Sequence, residues 1–323
     1  MTSIMTNTGA MAALATLRDI NRGLETTADR MASGQRIGQS KQNAAYWSIA
    51  ATMKSDDKAL AAVQDAMNLG AATADTAYAG LTASIDVVDE IKSKLIAARE
   101  PGVDKEKVNK EIDQLKQQLV SITDSASFNG VNWLKLNDGA ATTAKVAASF
   151  YRDLNRSVFM DMIEFDLVAR DGTITTLVDN RSTGTNGGAG IFTNTQFAIN
   201  AGASANYVLV VNQSNSTSGV EIALTSSTTN AQLDEMITVV EDMLQMMADA
   251  GATIGSVQSR VDTQLDYTFK LRDWMKGGIG TLIDANMDEE TTRLKALTTQ
   301  QQLAIQALSI ANTQPQNVLS LFR

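Results

Sequence analysis

The sequence predicts a mainly α-helical fold: a long antiparallel helical bundle or coiled coil formed by both chain ends, with a small β-rich domain inserted in the middle. Three observations predict it. Apolar residues recur at alternating steps of three and four near both termini, the pattern of helices that pack on helices. Longer runs of the same pattern lie just inside them. Between about 137 and 230 the composition turns abruptly to Thr, Ser, Asn and Gly with alternating apolar residues.

Near the N-terminus the row is Ala10, Leu14, Leu17, Asn21, Leu24, Ala28 and Met31. The stretch from Asp284 onward answers with Met287, Glu290, Leu294, Leu297, Gln301, Ala304 and Leu308. Either row alone fits an ordinary surface helix; matched rows at opposite ends favour mutual packing. Each carries one polar residue, Asn21 and Gln301, a device that costs stability but fixes register. A second row, Leu303, Ile305 and Ile310, lies off the first. A helix that is apolar on more than one side needs more than one partner, so apolar surface is left over for assembly.

The first helix should end at Ser33-Gly34, where glycine supplies a C-cap. After a loop over 35–43, a row from Ile49 through Met53, Leu60, Val63, Met67, Leu81, Val88 and Ile91 to Leu95 predicts one helix, on the order of 70 Å long at about 1.5 Å per residue. Its weak positions, Asp56, Gly70 and Ser84, either admit close approach of a partner or are merely tolerated. Pro101-Gly102 breaks the rod, and Val108, Ile112, Leu115, Leu119 and Ile122 predict a helix folding back on it. Phe128-Asn129-Gly130 marks a turn. A third long helix is predicted from Leu233 through Val261 to Met275, ending at Gly277-Gly278 as the joint to the terminal helix. In the insert, Phe165 to Arg170 and Thr173 to Val178 flank Asp171-Gly172, a strong hairpin signal. Tyr207 to Val211 and Val220 to Leu224 suggest another strand pair, with Ser218-Gly219 near the turn. The resulting divisions are 1–44 plus 278–323 for the terminal helices, 45–136 plus 231–277 for the rod, and 137–230 for the insert. The chain goes out and comes back, and its ends meet.

Composition excludes most chemistry. Of the 323 residues 44% are hydrophobic but only 5% aromatic, which suits slim helical packing. There is no cysteine, so no disulfide or thiolate site, and no histidine, the commonest general base and metal ligand. A net charge of -9 and a pI near 4.7 argue against nucleic acid and anionic membrane partners. No stretch approaches the roughly 18 uninterrupted apolar residues of a membrane span, and Met1 to Ala15 lacks the basic region and apolar run of a secretory signal. The expectation is therefore no membrane insertion, and either a cytosolic protein or one exported without cleavage.

Four other motifs read as structural. Asp161, Glu164 and Asp166 are oxygen ligands in type, but their mixed spacing on a strand does not place all three on one face. Gly277-Gly278-Ile279-Gly280 lacks the lysine and preceding strand of a phosphate loop. Asp288-Glu289-Glu290 complements a helix dipole. Asn212-Gln213-Ser214 and Asn215-Ser216-Thr217 match a glycosylation pattern. No catalytic, cofactor-binding or metal residue is expected.

Several separate blocks resemble one family. Asp29-Arg30-Met31-Ala32-Ser33-Gly34-Gln35-Arg36-Ile37, Asn43-Ala44-Ala45 and Ser48-Ile49-Ala50 are similar to the N-terminal signature of bacterial flagellin. Phe128-Asn129-Gly130, Ser259-Arg260-Val261-Asp262, the run from Asp284 to Glu290 and the run from Gln314 to Arg323 resemble its C-terminal half. Ala45-Tyr46-Trp47-Ser48-Ile49-Ala50 and Arg293-Leu294-Lys295-Ala296-Leu297 resemble the α-proteobacterial branch. These blocks lie outside the insert.

The resemblance implies a subunit that polymerises head-to-tail into the extracellular flagellar filament for swimming motility and is exported through the flagellar channel without a cleaved signal peptide. The terminal helices would form the filament core, through Leu14, Leu17, Asn21, Leu24, Met31, Leu294, Leu297, Gln301, Leu303, Ile305, Leu308 and Ile310, with the insert as outer domain. It implies a homopolymer, with related flagellin subunits as further members, and an export chaperone, hook-associated proteins and cap proteins as partners. Two segments depart from the family. In the one read by plant immune receptors, Asp29 to Ala50, the usual acidic pair is replaced by Gln42 and Asn43. In the one read by an animal innate receptor, Glu90 stands where a base is expected, followed by an altered pattern at Lys92 and Lys94. Weak or absent signalling is expected at both. Two other readings remain: a hook-filament junction protein, similar at both ends, and remotely an enzyme on a helical scaffold, which lacks any convergent polar cluster.

Overall fold

The computed structural model describes residues 7–137, 139–153, 157–168, 174–181, 190–211 and 219–320, with side chains described as far as Thr313. In chain order the elements are α1 (Thr8–Ser33), α2 (Ala44–Ala97), α3 (Lys105–Ser125), β1 (Ser127–Phe128), β2 (Val131–Asn132), β3 (Lys135–Leu136), β4 (Thr143–Arg152), β5 (Val158–Asp166), β6 (Val178–Asp179), α4 (Gln196–Asn200), β7 (Tyr207–Val208), β8 (Val220–Glu221), α5 (Asn230–Ile283) and α6 (Met287–Ser320). They fall into two compact units, Met1–Lys58 with Leu271–Arg323, and Ala59–Lys270. Both α2 and α5 contribute residues to each.

In the first unit, α1 opens on Asn7, whose side-chain oxygen accepts from the Ala10 N–H at 3.0 Å. It closes at Gly34, which adopts the left-handed conformation (φ 68°) that glycine takes without strain. It packs on α6, and the two run antiparallel, since bonds link Asn7 to Ala311, Asn21 to Gln301 and Arg30 to Glu290. The turn regions of the two strands of chain are tied by backbone bonds. Ala285 N–H donates to Gly34 O at 2.9 Å, and the N–H groups of Arg36 and Ile37 share Ile283 O at 2.7 and 3.2 Å. Ile37, Ala50, Ile279 and Ile283 form a small core there, with Met53 and Leu282 against it.

That core corrects one expectation. The glycine pair 277–278 predicts a helix end, yet α5 runs on to Ile283. Helical glycines cost about 1 kcal/mol each, while burying Ile279 and Ile283 returns roughly 1.5 to 3 kcal/mol apiece. Burial wins, and Gly278 lets the helices approach, since a Cβ there would lie 3.1 Å from Met53 Cε. The joint is instead Asp284–Asn286, where Asp284 bridges Gln35.

In the second unit a single core joins the helices to the strand-containing region: Leu81, Ile91, Leu119, Leu134, Ile163, Phe192, Leu233 and Met243 are all in it. Asp104 caps α3, accepting from the Glu106 and Lys107 N–H groups at 3.2 and 3.4 Å. β1 and β2 form a tight hairpin whose turn residues Asn129 and Gly130 both have positive φ, 49° and 80°, the requirement of a type I′ turn. β4 and β5 make a longer antiparallel ribbon with an irregularity at Ala147/Ser149. The sequence reading put Asp161 to Asp166 on a strand but missed its pairing with 143–152, because β5 opens on a run, Val158, Phe159 and Met160, without apolar alternation.

Of the expected pair around Asp171-Gly172, the turn lies outside the described residues. Its flanks, Val168 and Ile174, form an antiparallel bridge. The Tyr207 and Val220 segments do pair, but in parallel, so they are not a hairpin closed at Ser218-Gly219. Parallel pairing needs a longer crossover than a tight turn gives. β3 and β6 are parallel as well.

Gly70 decides between the two readings of the weak positions along α2. A Cβ there would come within 2.3 Å of Val146 Cγ1, so glycine makes room for the ribbon. Ser84 is fully buried and donates to Gly80 O at 2.8 Å, back-bonding on its own helix. Gly70→Ala should therefore destabilise the second unit by about 1 to 3 kcal/mol through overpacking, even though alanine is the better helix former. Urea unfolding followed by circular dichroism checks this; a stabilised variant would contradict it.

Candidate assembly site

The α1–α6 pair has one covered side and one open side. On α6, Glu290, Leu294, Leu297, Gln301, Ala304 and Leu308 form the protected row, while Met287 is exposed. On α1 the protected positions are Ala10, Ala13, Leu17, Ile20, Gly23, Leu24, Thr27, Arg30 and Met31, whereas Leu14, Asn21 and Ala28 of the row read in the sequence are exposed. Ala13, Ile20, Gly23, Thr27 and Arg30 are absent from the row read in the sequence. A strict three-four count drifts relative to a helix of about 3.6 residues per turn, and Thr27 carries no apolar signal although it is the one buried residue of α1.

Besides the Asn7–Ala311 bond, two side-chain links cross the pair. Gln301 Nε2 donates to Asn21 Oδ1 at 2.7 Å, joining the two polar residues of the opposing rows. Arg30 Nη1 donates to Glu290 Oε1 at 3.1 Å, and Arg293 Nη1 lies 3.7 Å from the same oxygen. Glu290 is only 4% exposed. It is thus a buried ion-pair partner as well as one of three acids in the first turn of α6. Arg30 Nε and Glu290 Oε2 find no hydrogen-bond partner among the described residues. Beside them lies a cavity of about 380 Å³ lined by Arg22, Gly23, Thr26, Arg30, Arg293 and Leu297.

Outside the protected row α6 carries Leu303, Ile305 and Ile310, which are 59%, 53% and 67% exposed. At about 3.6 residues per turn Leu303 and Ile310 lie side by side opposite the protected row, while Ile305 flanks that row, and all three are exposed. Covering each would contribute roughly 1.5 to 3 kcal/mol.

The residues of the two departing segments are engaged within the subunit. Gln42 Oε1 accepts from the Gly38 and Gln39 N–H groups at 2.7 and 3.2 Å, ordering the loop before α2. Asn43 Oδ1 accepts from the Tyr46 N–H at 3.1 Å, the bond of an N-cap. Lys92 pairs with Glu241. Lys94 donates to Glu111 at 2.6 Å, and that carboxylate, with a smaller share from Glu90, holds the ammonium above its ordinary pKa. The attraction holds while the ammonium is charged and is lost as pH rises through that raised value. Glu90 is exposed.

Among the described residues no group of three or more acids is placed to hold a metal ion, and no helix is long and apolar enough to cross a membrane. Asp166 instead accepts from Thr143 at 2.7 Å, and Glu164 from Lys145 at 2.7 Å. Both candidate glycosylation triplets lie outside the described residues.

Residues 4–138 match the family profile of the bacterial flagellin N-terminal helical region, and 237–322 that of the bacterial flagellin C-terminal helical region. The chain is 47% identical to Flagellin C of Rhizobium meliloti (strain 1021), with all of both chains covered. Flagellin A and Flagellin B of the same strain are each 41% identical over the full length of both chains.

Removing the Glu290 carboxylate leaves a largely buried guanidinium without its partner, which costs on the order of 3 kcal/mol. Glu290→Ala should accordingly loosen the α1–α6 pair far more than Glu290→Gln, whose amide oxygen still accepts from Arg30. Thermal dissociation of the assembled form reads this out, and equal behaviour of the two variants would contradict it.

Proposed function

The chain belongs to the bacterial flagellin family and is a structural subunit of the extracellular flagellar filament, not an enzyme; from that premise we propose that the α1–α6 pair supplies the surface through which copies join. The single observation that carries the proposal is the exposure of Leu303, Ile305 and Ile310 on α6, outside the row that packs on α1. Such a surface is costly in water and useful only if neighbouring copies cover it. Leu14, exposed on α1, belongs to the same assembly surface. Leu17, Leu24, Met31, Leu294, Leu297 and Leu308 hold the pair together from within, and Asn21 with Gln301 sets its register.

The contact is head-to-tail, because only a heterologous interface propagates into an open helical polymer. The region 137–230 serves as the outer domain. Flagellins A, B and C occur together in Rhizobium meliloti (strain 1021), which supports a filament shared with related subunits. An export chaperone, hook-associated proteins and cap proteins complete the proposed set of partners. Recognition by plant and animal innate receptors is weak, since Gln42, Asn43, Glu90, Lys92 and Lys94 depart from the family segments and are, apart from Glu90, tied into local bonds.

Seeded polymerisation viewed by electron microscopy tests the reading: purified subunit should extend seeds into long filaments. Seeds that gain only a short cap would favour a junction protein instead. Isolated short helices are marginal in water. Hydrogen exchange at 11–31 and 294–310 should therefore be fast in free subunit and slow in filament, and strong protection in the free subunit would contradict the assembly account.

A further inference from the structure

Two of the three tryptophans lie exposed in the first unit. Trp133, in the second, is 4% exposed and sits edge-on to Phe165 at 4.7 Å, an ordinary core position. Trp274 on α5 is 67% exposed, and Trp47 on α2 is 41% exposed. Trp274 points away from the side of α5 that carries Met275, Ile279 and Ile283 inward. An indole held in water forgoes the largest apolar contribution any side chain offers.

A complementary hollow exists in the same unit. A cavity of about 370 Å³ has Ile37, Ala50 and Ile283 among its lining, Trp47 as an aromatic wall, and Lys54 and Lys58 beside it. Lys54 and Lys58 are exposed and have no ion-pair partner among the described residues. The residue beside the protruding indole is Asp273, also exposed and also without a partner among the described residues. The knob thus carries a free acid, and the hollow two free bases.

We propose that Trp274 of one subunit seats in the Trp47 cavity of a second copy, with Asp273 meeting Lys54 and Lys58. The knob and hollow are different surfaces of one chain, so the contact is heterologous and propagates. The occupant is a second copy because this chain assembles with itself and carries both halves of the contact. The indole gains an aromatic neighbour and two cations near its face, the arrangement of a cation–π contact. This inference rests on the filament reading above and adds to it a specific anchor outside the α1–α6 pair.

The test uses wild-type filaments grown from an equal mixture of ordinary and nitrogen-15-labelled subunits. A carbodiimide couples a carboxylate to an amine with loss of water, so it should join Asp273 to Lys54 or Lys58 as an amide. Mass spectrometry should find these cross-linked peptides with one light and one heavy partner. Filaments that yield no such link, or only links of unmixed mass, would overturn the proposal while leaving the filament reading intact; failure of wild-type subunit to form filaments would overturn both. Independently, Trp274→Ala should raise the critical concentration for growth about 30-fold, as loss of an aromatic hot spot does. Trp274→Phe should retain most of the growth. Alanine is favoured in helices and the site is exposed, so circular dichroism of Trp274→Ala should be unchanged; growth of that variant at the wild-type critical concentration would also overturn the proposal.

Discussion

The antiparallel pairing of α1 with α6 is the contact on which the rest depends. It joins residues separated by most of the chain, from Asn7 with Ala311 to Arg30 with Glu290. Closing so long a loop costs entropy, although the cost grows only slowly with loop length. The backbone links at 34–37 and 283–285 help to offset it. The pair is nevertheless thin, with one protected row on each helix. A two-helix contact of that kind has no interior of its own to bury Leu303, Ile305 or Ile310.

The polar links explain how so plain a contact keeps one register. Leucine and alanine rows slide at little cost, whereas shifting Asn21 away from Gln301, or Arg30 away from Glu290, strands polar groups out of reach of their partners. A filament repeats its geometry over many copies, so a register error in one subunit would be propagated. Buried ion pairs are weak sources of net stability. Specificity is the better account of Glu290, which sits where α6 begins and the two chain ends must align.

The helices were legible because their period is strong and their punctuation conventional: Ser33-Gly34, Pro101-Gly102 and Asn129-Gly130 all mark real boundaries. Gly277-Gly278 misled, because local propensity favours a stop there while Ile279 and Ile283 find a core that no local signal announces. The pairing of β4 with β5 escaped notice because β5, though partly read as a strand at 161–166, presents apolar residues on both faces, which blurs its alternation. The parallel pairs β3–β6 and β7–β8 depend on contacts distant in sequence. In the α1–α6 contact most of the α6 row was readable from spacing, except Met287, which is exposed. Thr27 and the Arg30–Glu290 pair were not, since a buried threonine or ion pair looks like any surface residue until the partner helix is in place.

If the account is right, unit integrity and polymer growth are separable, because the second unit has its own core and the α1–α6 pair serves the polymer. Deleting 8–31, which removes α1, and following seeded growth by electron microscopy alongside thermal melting tests this most directly. The account predicts a soluble protein that retains the cooperative melt of the second unit and never elongates a seed. Filament growth by the deleted chain would contradict it.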